Sequence, residues 1–245
     1  MAGLHAIQAL AVFMLSDPNR GIWSVTANHL TLDPSSTVDK PVLASATQNI
    51  FTVNLAYLVV AFFLLSALAH LYVATVYRRR YETNLKQGIN KVRWVEYALS
   101  ASTMMVAIAL LSGIYDLGSL VMIFGLTAIM NLTGLAMEIY NQGREKTSWL
   151  AFHIGSLAGI LPWVVIGIYF WAGNKYGAGD IPTFVYYIYA SIFLFFNCFA
   201  INMILQYKKV GKWQDYLYGE KAYIVLSLLA KSALAWQVFA GTLRP

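Results

Sequence analysis

A single lysine, Lys231, stands halfway along an otherwise uncharged apolar run of nineteen residues, Ala222 to Ala240. About 20 apolar residues are what a helix needs to cross a bilayer. A lysine at the centre of such a helix costs about 2.5 to 3.5 kcal/mol on insertion scales, so its presence demands a reason. Snorkelling is a poor one, because the residue is nine positions from either end and the headgroups are out of easy reach at about 1.5 Å per residue. Two readings remain. One is a structural pair with a buried carboxylate. The other is an amine kept for covalent chemistry, most simply a Schiff base to an aldehyde cofactor.

The rest of the chain repeats the pattern. Apolar runs cover about Ala2 to Ser16, Ile50 to Tyr77, Val92 to Tyr115, Leu117 to Tyr140, Trp149 to Ala172, Ile181 to Tyr207 and Ala222 to Thr242. With 59% hydrophobic and 11% charged residues, there is too little polar surface to cover a soluble globule. The reading is an all-α membrane protein, one domain over residues 1–245, with a seven-transmembrane-helix bundle. The first run has no basic region before it and no small-residue cleavage site, so it reads as a retained helix. One cysteine, Cys198, excludes an intrachain disulfide framework, and no metal-ligand cluster or enzyme motif is present.

The basic residues sort by connection. The second, fourth and sixth connections carry twelve of them and the opposite side four, which predicts a cytoplasmic amino terminus and an extracellular carboxyl terminus. The same sorting makes the net charge of +6 a matter of topology, not of nucleic-acid binding. The first connection, about residues 17–48, is far longer than the others. Its Ile22-Trp23-Ser24-Val25-Thr26 alternates with period two, which predicts a short external β-ribbon.

Three polar pairs at helical spacing are candidates to face Lys231. Ser227 lies four residues before it, and side chains tilt toward the helix amino terminus, so the lysine tip should hang near Ser227. Ser66 and His70 share a face of the second helix; His5 and Gln8 share one of the first. Glu96 is the only carboxylate within the third run. It reads either as a partner of Arg93 or as a counterion for a protonated Schiff base on Lys231. For the second role the third helix must begin near Leu85 to Gly88, with Lys91 and Arg93 facing the headgroups. Glu138 and His153, near helix ends, read as interfacial. No further carboxylate follows Glu96 until Asp116, and Ala107, midway, cannot carry a proton, so a pump's relay is missing.

At these residues the chain resembles the heliorhodopsins, retinal-binding seven-helix proteins with a topology inverted relative to other microbial rhodopsins. The resemblance rests on Arg93-Trp94-Val95-Glu96-Tyr97, Ala158-Gly159-Ile160-Leu161-Pro162-Trp163 and Phe193-Leu194-Phe195-Phe196-Asn197. It rests equally on the block from Gly219-Glu220 through Ser227 to Ala230-Lys231-Ser232 and on to Trp236-Gln237. It implies all-trans retinal on Lys231, Glu96 as counterion, and Ser66, His70, Ser227, His5 and Gln8 around the Schiff base. Met104, Met130, Trp163, Phe196 and Asn197 would contact the polyene. The resemblance further implies a light sensor with a slow photocycle and no ion pumping, a homodimer in the membrane lipid, and a cytoplasmic signalling partner. Ala98 and Ala101 depart from a stretch that is often serine-rich in the family, while Ser100 and Ser102 keep it. Two competing readings stay open: a light-gated proton or ion conductor on the same fold, and a chromophore-free receptor or scaffold with a structural Lys231–Glu96 pair.

Overall fold

The computed structural model describes residues 1–179 and 181–245. Among the described residues the main elements are eight α-helices and one hairpin: α1 (Ala2–Leu15), β1 (Ile22–Leu32), β2 (Leu43–Asn54), α2 (Leu55–Ala74), α3 (Arg78–Lys86), α4 (Lys91–Leu111), α5 (Leu117–Tyr140), α6 (Leu150–Tyr176), α7 (Thr183–Tyr207) and α8 (Tyr216–Val238). Six of them, α2 and α4 to α8, are long and apolar enough to cross a membrane. The seventh bundle helix, α1, has 14 residues, about 21 Å at 1.5 Å per residue. The architecture is that of a rhodopsin-like bundle with a two-stranded sheet at one end.

Helices α1, α2, α4, α5 and α6 pack in that order, α7 packs on α8, and α8 returns to α1 and α2. Between α6 and α7 the contact is made by rings. Trp163 meets Tyr189, Phe193 and Phe196 edge on, at centroid distances of 5.5, 5.2 and 5.7 Å. Most buried apolar side chains form one large core toward the hairpin end. A smaller one, Trp94, Tyr97, Met137, Met203 and Tyr223, lies toward the opposite end.

Two sequence readings need correction. The run starting at Ile50 is not helical at first: Ile50 to Val53 complete β2, paired antiparallel with β1, because all four are β-branched or aromatic. The helix starts only after Asn54, whose side chain accepts from the Ala56 amide at 2.9 Å. The ribbon is accordingly longer than the stretch Ile22 to Thr26 suggested. It is tied to the bundle by Thr26 N donating to Tyr115 O at 2.9 Å and by Trp23 stacked on Tyr115 at 5.3 Å. Gly21 turns the chain into it at φ +66°, where a Cβ would lie 2.8 Å from Leu243; glycine alone satisfies both the dihedral and the space.

The second correction concerns the start of the third membrane helix. It does not begin at Leu85 to Gly88. A separate polar helix, α3, ends at Lys86, Gly88 turns the chain at φ +71°, and α4 starts at Lys91, capped by the Asn90 side chain accepting from the Arg93 amide at 3.1 Å.

Candidate functional site

Lys231 is 3% exposed. Its Nζ donates to Glu96 Oε1 at 2.7 Å and to Ser227 Oγ at 3.0 Å, and lies 5.4 Å from the centre of the Tyr97 ring. Ser66, from α2, donates its hydroxyl to the same Glu96 oxygen at 2.6 Å; Phe62 O stands 3.1 Å from that hydroxyl, and its one proton serves a single acceptor at a time. Two hydroxyls, from α2 and α8, thus converge on one carboxylate–ammonium pair.

Glu96 reaches this level despite the late start of α4 because α8 starts early. Asn90 Nδ2 donates to Glu220 Oε2 at 2.7 Å and fixes the register of the two helices. Six residues beyond Asn90 is Glu96; seven beyond Glu220 is Ser227. At about 1.5 Å per residue these climbs are about 9 and 10.5 Å, so parallel helices bring the two to one height.

The other predicted residues distribute around this pair. His5, 1% exposed, stacks on His70 at 5.7 Å with the rings 9° from parallel, and its Nδ1 has no hydrogen-bond partner. Gln8 is turned away from the lysine tip: its Oε1 accepts from Ser232 Oγ at 2.8 Å and Trp236 Nε1 at 3.2 Å. Met104, Met130, Phe196 and Asn197 line a cavity beside Lys231, whereas Trp163 stands behind Phe196.

That cavity holds about 530 Å³ and runs between α4, α5, α6, α7 and α8, with Lys231 and Ser227 on its wall. Pockets of about 300 to 1,000 Å³ take drug-sized molecules. Missing side chains on α6 let its neighbours pack close. A Cβ on Gly155 would strike Thr133, and one on Gly159 would strike Met130 and come within 2.9 Å of Phe196. Its walls are largely Met, Phe, Ile and Ala, with Thr127, Asn131, Ser156 and Asn197 as scattered polar points.

A second ionic cluster was not foreseen as one. Arg93 does not face headgroups and does not pair with Glu96; it is 6% exposed. Its guanidinium lies 4.2 Å from the Trp94 ring and 3.9 Å from the Tyr223 ring. Nη2 bonds Glu138 Oε1 and stands 3.0 Å from Glu220 Oε1. Glu138 is therefore buried in an ionic cluster, not interfacial, because α5 turns it inward against α4. Asn90 N donates to Glu138 Oε2 at 2.8 Å, and Tyr216 OH to Glu138 Oε1 at 3.3 Å. Tyr81, from α3, accepts from Asn90 Nδ2 at 3.3 Å, and burial beside the Glu220 carboxylate pushes its phenol up. One available signal was spacing: Glu220 and Lys231 are eleven residues, three helical turns, apart and so share one stripe of α8.

The heliorhodopsin family model matches residues 1–243 of the chain. No curated protein matches it.

Proposed function

The chain belongs to the heliorhodopsin family, and from that premise we propose that it is a light sensor in which Lys231 carries all-trans retinal as a protonated Schiff base. The family makes it a rhodopsin-type photoreceptor with a retinal chromophore, and its six long apolar helices make it a multi-pass membrane protein. What supports the finer reading is one juxtaposition: a buried lysine, paired with a buried carboxylate, on the wall of a largely apolar cavity of about 530 Å³.

Bound there, retinal supplies a visible chromophore whose shape changes on absorbing light. The chain does the rest. Met104, Met130 and Phe196 wall an apolar slot, and the bare backbone at Gly159 lets Met130 and Phe196 take those places. Glu96 is an opposite charge in direct contact with Lys231 Nζ, the place of a counterion. A lysine nitrogen held as a protonated Schiff base would keep a single N–H, so Glu96 and Ser227, both within 3.0 Å of Nζ, would compete to accept it. The Ser66 hydroxyl holds the Glu96 carboxylate in place at 2.6 Å. His5 and His70 stack nearby, and His70 borders a small cavity together with Glu96.

The absence of pumping belongs to the same proposal. Beyond Glu96, α4 continues through Ala107, Ile108, Ala109 and Leu110, all buried and apolar, which offer no seat for a proton. The basic connections support a cytoplasmic amino terminus and α3, where a signalling partner would meet them, and the exposed hairpin would be the surface for a homodimer.

A visible spectrum of the purified protein with all-trans retinal, before and after hydroxylamine under light, tests the reading. A band that bleaches as retinal oxime forms is expected. A colourless protein would leave Lys231 as half of a structural pair. Glu96→Gln should move the band to longer wavelength, and an unmoved band would take Glu96 out of the counterion role. Voltage-clamped cells should show no light-driven current; a current would favour the conductor.

A further inference from the structure

One helix, α3, does not cross the membrane. It lies at the end of the bundle opposite the hairpin and is joined to α2 by Thr75, Val76 and Tyr77 alone. The apolar core of a bilayer gives way to polar layers of about 5 to 8 Å on each side, so a helix that starts three residues beyond a span lies at headgroup depth. Its surroundings agree. Tyr72 stacks on Tyr77 at 5.3 Å, rings of the kind that mark the membrane interface, and Val76 between them is 81% exposed.

The helix has two faces. Tyr77, Tyr81, Asn84 and Leu85 recur at helical spacing and are half-buried. Tyr81 OH accepts from Asn90 Nδ2 at 3.3 Å, and Asn84 Nδ2 donates to Tyr77 OH at 3.2 Å. Just past the helix, Gln142 Nε2 donates to Gln87 O at 3.3 Å, so this side is fastened to the bundle. On the other side Arg79, Thr83 and Lys86 are exposed, with Arg78 and Arg80 on the flanks. Arg78 pairs with Glu82, the one acid of α3, at 3.0 Å. Arg144, from the connection after α5, lies over the Tyr140 ring at 3.8 Å. Among the described residues, Arg79, Arg80 and Lys86 have neither a carboxylate partner nor a ring beneath them. Membrane topology asks only for a count of positive charge, which lysine meets as well as arginine. The connection between α7 and α8 meets it with Lys208, Lys209 and Lys212, whereas α3 holds three of the chain's seven arginines in one run. The arginine fork grips phosphate with two parallel bonds.

We propose that α3 is a headgroup-binding helix, whose Arg79, Arg80 and Lys86 hold the phosphates of anionic phospholipids in the leaflet at that end of the bundle. The exposed face is polar throughout, so it takes headgroups and not acyl chains, and with Glu82 already paired its free charges are all positive. The binding follows from the placement of α3 and depends neither on what Lys231 carries nor on which way the chain crosses the membrane.

Electron spin resonance of the whole protein in phosphatidylcholine bilayers tests this, with a trace of spin-labelled phosphatidylglycerol or spin-labelled phosphatidylcholine. The fraction of each label immobilised at the protein surface gives its relative association. Phosphatidylglycerol is expected to associate at least about twofold more strongly, and the excess should shrink between about 20 and 500 mM salt. Replacing Arg79, Arg80 and Lys86 together by Gln should remove most of the excess. Replacing Lys208, Lys209 and Lys212 by Gln takes the same charge from the same end of the bundle and should leave most of it. All six side chains are exposed, so neither triple substitution disturbs the core. An excess that survives the α3 substitutions, or that falls equally with either triple, overturns the proposal, because the preference then belongs to the whole basic surface. No excess in the unsubstituted protein overturns it as well, and leaves this face to a protein partner.

Discussion

Arg93 and Lys231 are the buried arginine and lysine of the described residues, and the bundle treats them oppositely. The arginine is enclosed: rings on two sides, two carboxylates on one nitrogen, and a helix cap, Asn90, bonded to both acids. The lysine has one carboxylate and one hydroxyl and borders a large cavity. Chemistry explains the division. A guanidinium stays charged in any protein setting and its planar fork suits a permanent joint between helices, whereas an ammonium can lose its proton and become a nucleophile. The arginine ties α4, α5 and α8 together; the lysine is kept available.

If that division is real, removing the two charges should not cost the same. Arg93→Ala strands two buried carboxylates and the faces of two rings, and should cost about 3 to 5 kcal/mol of stability. Lys231→Met strands only Glu96, which keeps its Ser66 donor and can take up a proton, so about 1 to 3 kcal/mol is expected. Denaturant unfolding of the retinal-free variants measures both. Equal losses, or the reverse order, would erase the distinction between joint and reactive site.

Glycines sharpen the same comparison at a smaller scale. A Cβ on Gly134 would collide with the Trp94 ring, which cannot retreat because the Arg93 guanidinium lies on it at 4.2 Å. Gly134→Ala should therefore cost about 1 to 3 kcal/mol by overpacking. A Cβ on Gly159 meets the Met130 thioether, a flexible side chain that can swing into the cavity. Gly159→Ala should cost at most about 1 kcal/mol yet weaken retinal uptake, read as the fraction of protein that becomes coloured. A large stability loss at Gly159 would mean that the cavity wall is as rigid as the arginine joint.

The lysine side of this contrast is legible in the sequence, and the arginine side is not, for a physical reason. A charge in mid-run must be buried wherever the helix is placed, so Lys231 identifies itself, and helical spacing then supplies Ser227. Arg93, Glu138 and Glu220 sit near the ends of their runs, where a charge ordinarily reaches the interface. Only the direction each helix faces reveals that they meet, and that depends on neighbours far away in the chain. The boundaries were misplaced on similar grounds. Ile50 to Val53 is as apolar as a helix, and its pairing with β1 decides its conformation; the break at Gly88 depends on a backbone dihedral that apolar content does not register.

Tyr97 stands between the two sites and provides the finest test of their separation. Its ring lies 5.4 Å from Lys231 Nζ on one side and meets Trp94 edge on at 6.3 Å on the other, while its hydroxyl donates to Tyr223 O at 2.9 Å. Tyr97→Phe keeps both ring contacts and removes only that bond. The Tyr223 carbonyl retains its place in the α8 backbone ladder, so no acceptor is stranded and the loss should be near the low end of a hydrogen bond's worth, about 0.5 kcal/mol. With retinal bound, the visible band should move far less than in Glu96→Gln, because Glu96, Ser66 and Ser227 remain around Nζ. A displacement as large as that of Glu96→Gln would show that the hydroxyl carries the field of the arginine cluster to the lysine, and that the two sites work as one.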